Sequence, residues 1–257
     1  MELNAYLSSR LAEKEILLMT HIVLGYPSFE EGLQMVQIMV EAGVDLMELQ
    51  IPFSEPTADG PVIARANQKA LENGATVENC LKFAALAARK FDIPFLMMSY
   101  YNLPFKYGLK RFVSLLADYG LQGAVIPDIP PEEGREYLAA MQRRELAPIL
   151  LYTPTTSLER MRYIASFAAG FIYCVARKGV TGGETDFSEQ LAAYLNRCRQ
   201  ATDLPLALGF GLKNRSEIDF LKGRADIAVI GSQTIRVMEE SGDEAVGEFI
   251  RGLSEAT

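Results

Sequence analysis

The chain has 257 residues, 49% of them hydrophobic, and a formal charge of −8. That length suffices for a full core, as one large α/β domain or two small ones, and the acidic balance excludes general nucleic-acid binding, which needs basic patches. Three scattered cysteines and a single histidine exclude a disulfide framework and a metal-ligand cluster. The opening MELNAYLSSRLAEKE is amphipathic and charged, unlike a signal peptide. No apolar run approaches the roughly 20 residues of a membrane span. The expectation is a cytoplasmic protein without membrane contact.

After an N-terminal helix, apolar runs at 16–24, 44–51, 94–99, 123–127, 148–152, 170–176, 204–208 and 226–230 predict eight strands. Helical periodicity at 29–42, 62–72, 76–90, 109–119, 132–144, 158–167, 187–201, 215–222 and 242–253 fills the intervals. Strands that alternate with helices predict parallel βαβ units, and eight of them in this length match a (β/α)8 TIM barrel, an α/β fold. Periodicity alone also allows an open, doubly wound sheet. The barrel carries a consequence, because its chemistry belongs at the C-terminal ends of the strands.

The densest chemistry lies at 44–63, VDLMELQIPFSEPTADGPVI. Side chains alternate along a strand, so Leu46, Glu48 and Gln50 share one face while Met47, Leu49 and Ile51 share the other. The wholly apolar face suits packing against helices, which turns Glu48 into the barrel interior near the catalytic rim. A buried Glu there serves proton transfer, or else sits hydrogen-bonded and inert in the top layer of barrel side chains. Asp59 precedes Gly-Pro at the start of a helical pattern, where a helix-capping role competes with a role in chemistry. A second constellation is glycine. Arg177 to Gly183, Gly209 to Gly211 and Gly231-Ser232 follow the last three strands, and together they predict a cradle for a phosphorylated ligand. The residues at 177–186 have the glycines and mixed charge of a lid.

The run from Glu48 to Pro61, ELQIPFSEPTADGP, resembles the signature of the tryptophan synthase α subunit, which typically reads E-L-G-[IV]-P-F-S-D-P-x-A-D-G-P. The likeness continues in order and spacing through Leu24 to Pro27, Tyr100 to Asn102, Pro127 to Pro130, Arg177 to Gly182, Gly209 to Gly211 and Gly231-Ser232. It implies a single TIM-barrel domain over 1–257 that cleaves indole-3-glycerol phosphate to indole and glyceraldehyde 3-phosphate, a retro-aldol lyase reaction without a cofactor. By resemblance, Glu48 is the general acid/base and Asp59 the carboxylate that holds the indole N–H. Tyr173 lies near the acid/base, and Tyr100 and Leu151 line the indole pocket. Gly182, Gly211, Gly231 and Ser232 bind phosphate, and Thr181 belongs to the lid. The core-aromatic reading of Tyr100 and Tyr173 stands beside these roles.

The resemblance also implies an α2β2 complex with a pyridoxal-phosphate β subunit, with Pro52, Phe53, Glu55, Asn102, Phe105 and Pro130 on or near the interface. A stand-alone lyase, and a catalytically weak binding subunit of the β enzyme, are the alternatives. Three departures from the family pattern stand out. Gln50 replaces a glycine and is placed to hydrogen-bond Glu48 or crowd the substrate, and Glu55 replaces an aspartate. His21 replaces an apolar or aromatic residue and, with no acidic partner at helix or strand spacing, is expected to be a satisfied core histidine.

Overall fold

The computed structural model describes residues 2–176, 189–209 and 212–257. Within them the chain runs α1 (Leu3–Leu11), β1 (Leu17–Val23), α2 (Phe29–Glu41), β2 (Leu46–Gln50), α3 (Pro61–Glu72), α4 (Val77–Lys90), β3 (Phe95–Met98), α5 (Asn102–Tyr107) and α6 (Leu109–Asp118). It continues β4 (Gly123–Val125), α7 (Arg135–Arg143), β5 (Ala147–Tyr152), α8 (Leu158–Ala165), β6 (Ile172–Val175), α9 (Glu189–Ala201), β7 (Leu206–Gly209), α10 (Arg215–Leu221), β8 (Ile227–Ile230), α11 (Ser232–Ser241) and α12 (Asp243–Ser254). The eight strands are parallel, pair in sequence order and close β8 onto β1, so the sheet is a barrel. All eight predicted strands are present. Two helices lie outside the predicted periodic runs: α5, whose six residues are too few to show a 3.6-residue repeat, and α11, of which the sequence reading singled out only the start at Gly231-Ser232.

Local chemistry sets the element starts. Ser28, Thr76 and Ser157 accept a hydrogen bond from the backbone N–H three residues on, at the N-caps of α2, α4 and α8, and Asn214 with Glu217 forms a capping box on α10. The barrel alternation then sorts the core into two layers. Leu18, Met47, Leu49, Met97 and Cys174 face outward into the shell between sheet and helices. Leu17, Met19, Leu46, Leu96, Val125, Ile149 and Ile227 fill the interior.

Helix α1 belongs to the interior, where Leu3 and Leu7 join its cluster and cover the N-terminal mouth. Asn4 Oδ1 accepts from the Gly170 N–H at 3.1 Å, and a Cβ on Gly170 would lie 2.7 Å from Leu3 Cδ2 with φ at +77°, so only glycine fits beneath α1. Tyr6 donates its hydroxyl to the Asp45 carbonyl at 2.7 Å. The Asp45 carboxylate, 1% exposed, accepts from Arg10 at 2.9 Å, Lys14 at 3.0 Å and the Leu18 N–H at 2.9 Å. The N-terminal end is thereby sealed by apolar contact and by one fully partnered acid.

Candidate active site

At the other end of the same strand, the parallel register sets His21 on β1 opposite Glu48 on β2, and Val23 opposite Gln50. Glu48 is 3% exposed and turned into the interior. His21 Nδ1 lies 3.0 Å from Glu48 Oε2. A protonated imidazole carries a hydrogen on both nitrogens, so in that form Nδ1 donates to Glu48. Burial lowers the imidazole pKa, but the hydrogen bond and charge of Glu48, with the charge of Asp59, more than offset it and leave it above its ordinary 6.5. The expectation of a satisfied core histidine is therefore corrected. The acid partner of His21 is across the strand pair, a spacing invisible along one strand, and Nε2 is buried with no hydrogen-bond partner among the described residues.

Asp59 is likewise not a helix cap. The N-cap of α3 is Gly60, which offers no side chain, and Pro61 occupies the first turn. The carboxylate is held instead by Gln50, whose Nε2 donates to Oδ2 at 2.6 Å, and more loosely by Asn67 at 3.4 Å. Asn67 is anchored in turn, donating to the Ile63 carbonyl at 2.9 Å and accepting from the Phe53 N–H at 2.9 Å. The amide of Gln50 thus serves Asp59 and not Glu48. Burial raises the Asp59 pKa above its ordinary 3.8, and the Gln50 hydrogen bond and the nearby His21 offset only part of that rise.

Glu48, Asp59 and His21 open on a cavity of about 250 Å³, together with Leu151, Thr153, Tyr173, Lys213, Gly231, Ser232 and Arg236. Met98, Val125, Pro127, Val175, Leu212 and Val229 supply apolar wall. Tyr173 on β6 has its phenol pKa raised well above 10 by burial and then by the charges of Glu48 and Asp59, so it stays a protonated donor. Its ring lies against β7, where a Cβ on Gly209 would come within 2.3 Å of Cε1. Gly231 follows β8 as the N-cap of α11 and Ser232 opens that helix, whose first N–H groups have no partner within the helix.

The predicted site residues divide accordingly. Glu48, Asp59, Leu151, Tyr173, Gly231 and Ser232 meet at this cavity. Tyr100 stands behind the lining, where its hydroxyl accepts from the Ala58 N–H at 3.0 Å and lies beside the Asp59 carboxylate, while its ring stacks on Phe53 at 5.3 Å. Thr181, Gly182 and Gly211 lie outside the described residues. Of the predicted interface residues, Phe105 is 67% exposed on α5 and Asn102 and Glu55 are exposed. Phe53 and Pro130 are half-buried, and Pro52 is buried. Sequence reasoning missed Lys213 and Arg236, although Arg236 stands one helical turn beyond Ser232, a spacing that would have placed it.

Comparison with known proteins agrees with this geometry. Residues 7–254 match the family described as tryptophan synthase alpha chain. Proteins of that name from Desulforapulum autotrophicum and Syntrophotalea carbinolica are 62% and 58% identical, each match covering 98% of this chain and at least 99% of the relative. A solved structure of Mycobacterium tuberculosis tryptophan synthase superposes with a TM-score of 0.93 at 28% identity, over 99% of this chain and 97% of that one. A structure from Aquifex aeolicus gives 0.92 at 31% identity over 100% and 99%. A closed barrel with one buried and one half-buried carboxylate at its C-terminal rim, matched over nearly its whole length, belongs to the tryptophan synthase alpha chain family.

Proposed function

We propose that Glu48 and Asp59 carry the family's lyase reaction, the cleavage of indole-3-glycerol phosphate to indole and glyceraldehyde 3-phosphate. The observation that carries this assignment is that a buried carboxylate, Glu48, and a half-buried one, Asp59, with separate partners open on one cavity with the N-terminus of α11. Glu48 gives its proton to indole C3 and later takes the proton of the glycerol hydroxyl next to the breaking bond. The electron pair of the C–C bond returns to the ring, and the hydroxyl-bearing carbon leaves as an aldehyde. Glu48 ends as it began, so one carboxyl group suffices as acid and base.

Asp59 accepts the indole N–H and stabilises the positive charge that C3 protonation puts on the ring. That role requires the carboxylate, which Gln50 and Asn67 orient. The apolar wall of Leu151, Val125 and Met98 suits the flat indole. The anionic end of the substrate suits the first N–H groups of α11 at Gly231 and Ser232, with Lys213 and Arg236 on the same cavity. Thr181, Gly182 and Gly211 complete the lid and phosphate cradle on the strength of the family resemblance.

The chain works as one domain in an α2β2 complex, and Phe105, Asn102 and Glu55 supply the exposed part of its β-subunit contact. Pyridoxal phosphate belongs to the β subunit, and this chain's reaction needs none. The setting is cytoplasmic on the strength of the family resemblance, and no helix among the described residues is long and apolar enough to cross a membrane. The test is indole formation from indole-3-glycerol phosphate by the purified protein, with and without a β subunit. Release that the β subunit accelerates and that Glu48→Gln abolishes supports the assignment, and wild-type release by Glu48→Gln sinks it.

A further inference from the structure

We propose that His21 is a positioning residue of the lyase: its Nδ1–H holds Oε2 of Glu48 and so reserves Oε1 for the proton that moves to and from the substrate. The inference rests on reading Glu48 as the acid/base. Three observations carry it. The closed barrel sets β1 beside β2 with His21 and Glu48 as direct register partners on the interior face, so the pair is fixed by the sheet and not by a loop. The Nδ1 to Oε2 distance is 3.0 Å, and His21 is the one hydrogen-bond donor that the described residues give Glu48. Nε2 is buried without a partner among the described residues, although buried polar atoms are ordinarily paired. A histidine kept to tie the fold together would use both nitrogens, whereas among the described residues this ring has one hydrogen-bonded nitrogen, held by Glu48, with the Gln50 side chain beside it.

The charged and titratable groups around the ring define what its own proton does. From β2 it faces Glu48, and from the loop before α3 it faces Asp59. Tyr173 from β6, Lys213 from the loop after β7 and Arg236 from α11 share the cavity. The neighbours from α2, Met35 and Met39, are apolar. The two carboxylates dominate and keep the imidazole protonated to higher pH than a free histidine, against the pull of burial. The Nδ1 hydrogen remains on His21 through the cycle. Each proton given to indole C3 comes from Glu48 and is replaced by the one lost from the glycerol hydroxyl, so the positioning role consumes nothing.

The test uses the full chain, alone and with a β subunit, and measures kcat, KM and the pH profile of indole release for His21→Phe and His21→Asn. Phenylalanine keeps the ring and removes the donor. The asparagine amide nitrogen falls where Nδ1 sits and donates without titrating. His21→Phe is expected to lose roughly 30-fold in kcat, within the ~10²-fold that a misplaced catalytic group costs, with KM within about twofold. His21→Asn is expected to recover most of that loss. His21→Phe at wild-type kcat with an unchanged pH profile would overturn the proposal, as would a folded His21→Asn as slow as His21→Phe. Wild-type turnover by a Glu48→Gln control would overturn the reading of Glu48 itself, a result separable from failure of His21 alone.

Discussion

Asp45 and Glu48 are three residues apart in the sequence and both are buried, yet they belong to opposite ends of the barrel. Asp45 is surrounded by Arg10, Lys14 and the Leu18 N–H, partners that stay positive or neutral donors at any physiological pH. Among the described residues Glu48 has one donor, His21, whose imidazole can itself gain and lose a charge. A carboxylate whose oxygens are taken up by two cations and a backbone N–H ties helix to strand and serves the fold. A carboxylate with one side-chain donor among the described residues keeps an oxygen open to the cavity and to a substrate. Position relative to the strand ends, and not burial, separates the two, as the barrel rule on stability and catalytic faces requires.

The sharpest way to break this comparison is to neutralise each acid in turn. Glu48→Gln is expected to cut turnover by about 10³-fold, the scale of a lost general acid/base, with melting unchanged. Asp45→Asn is expected to do the reverse. Leaving Arg10 and Lys14 facing an uncharged partner should cost about 3 kcal/mol of unfolding free energy in denaturant titration, while kcat of the folded protein holds. Asp59→Asn should lower turnover by about 10²-fold through lost stabilisation of the ring cation. Because burial raises the Asp59 pKa, the wild-type rate is expected to fall on the acid side at a pH above the ordinary carboxylate range, and Asp59→Asn should lack that limb. The smallest effect concerns stability. The folded pKa of His21 lies above 6.5, so its contribution is complete below that pH and is lost as pH rises through the folded value. Unfolding free energy measured against pH should therefore decline above about 6.5 in the wild type and stay flatter in His21→Phe.

The barrel was legible because its strands are apolar runs bounded by Gly, Pro and acids, and because the interior face of β2 is marked by Glu48 and Gln50. The partners were not. Gln50 bonds Asp59 from nine residues away, which needs the turn between β2 and α3 to fold back. His21 meets Glu48 only through the β1–β2 register, yet a trace existed, since each residue stands two positions before the end of its strand and parallel neighbours aligned at their ends put them level. Asp59 looked like a cap because Asp-Gly-Pro is a common helix entry. The structure places the cap at Gly60 and releases the side chain to the cavity. Tyr100 was legible as a core aromatic, and the fold sets its hydroxyl beside Ala58 and Asp59 and its ring on Phe53.

The most direct test of the division between the two ends is the rate of indole release by Glu48→Gln and Asp45→Asn, each corrected for its folded fraction. The expected result is a loss of about 10³-fold for Glu48→Gln and none for Asp45→Asn. Equal losses in both, or a Glu48→Gln rate near that of the wild type, would contradict the account.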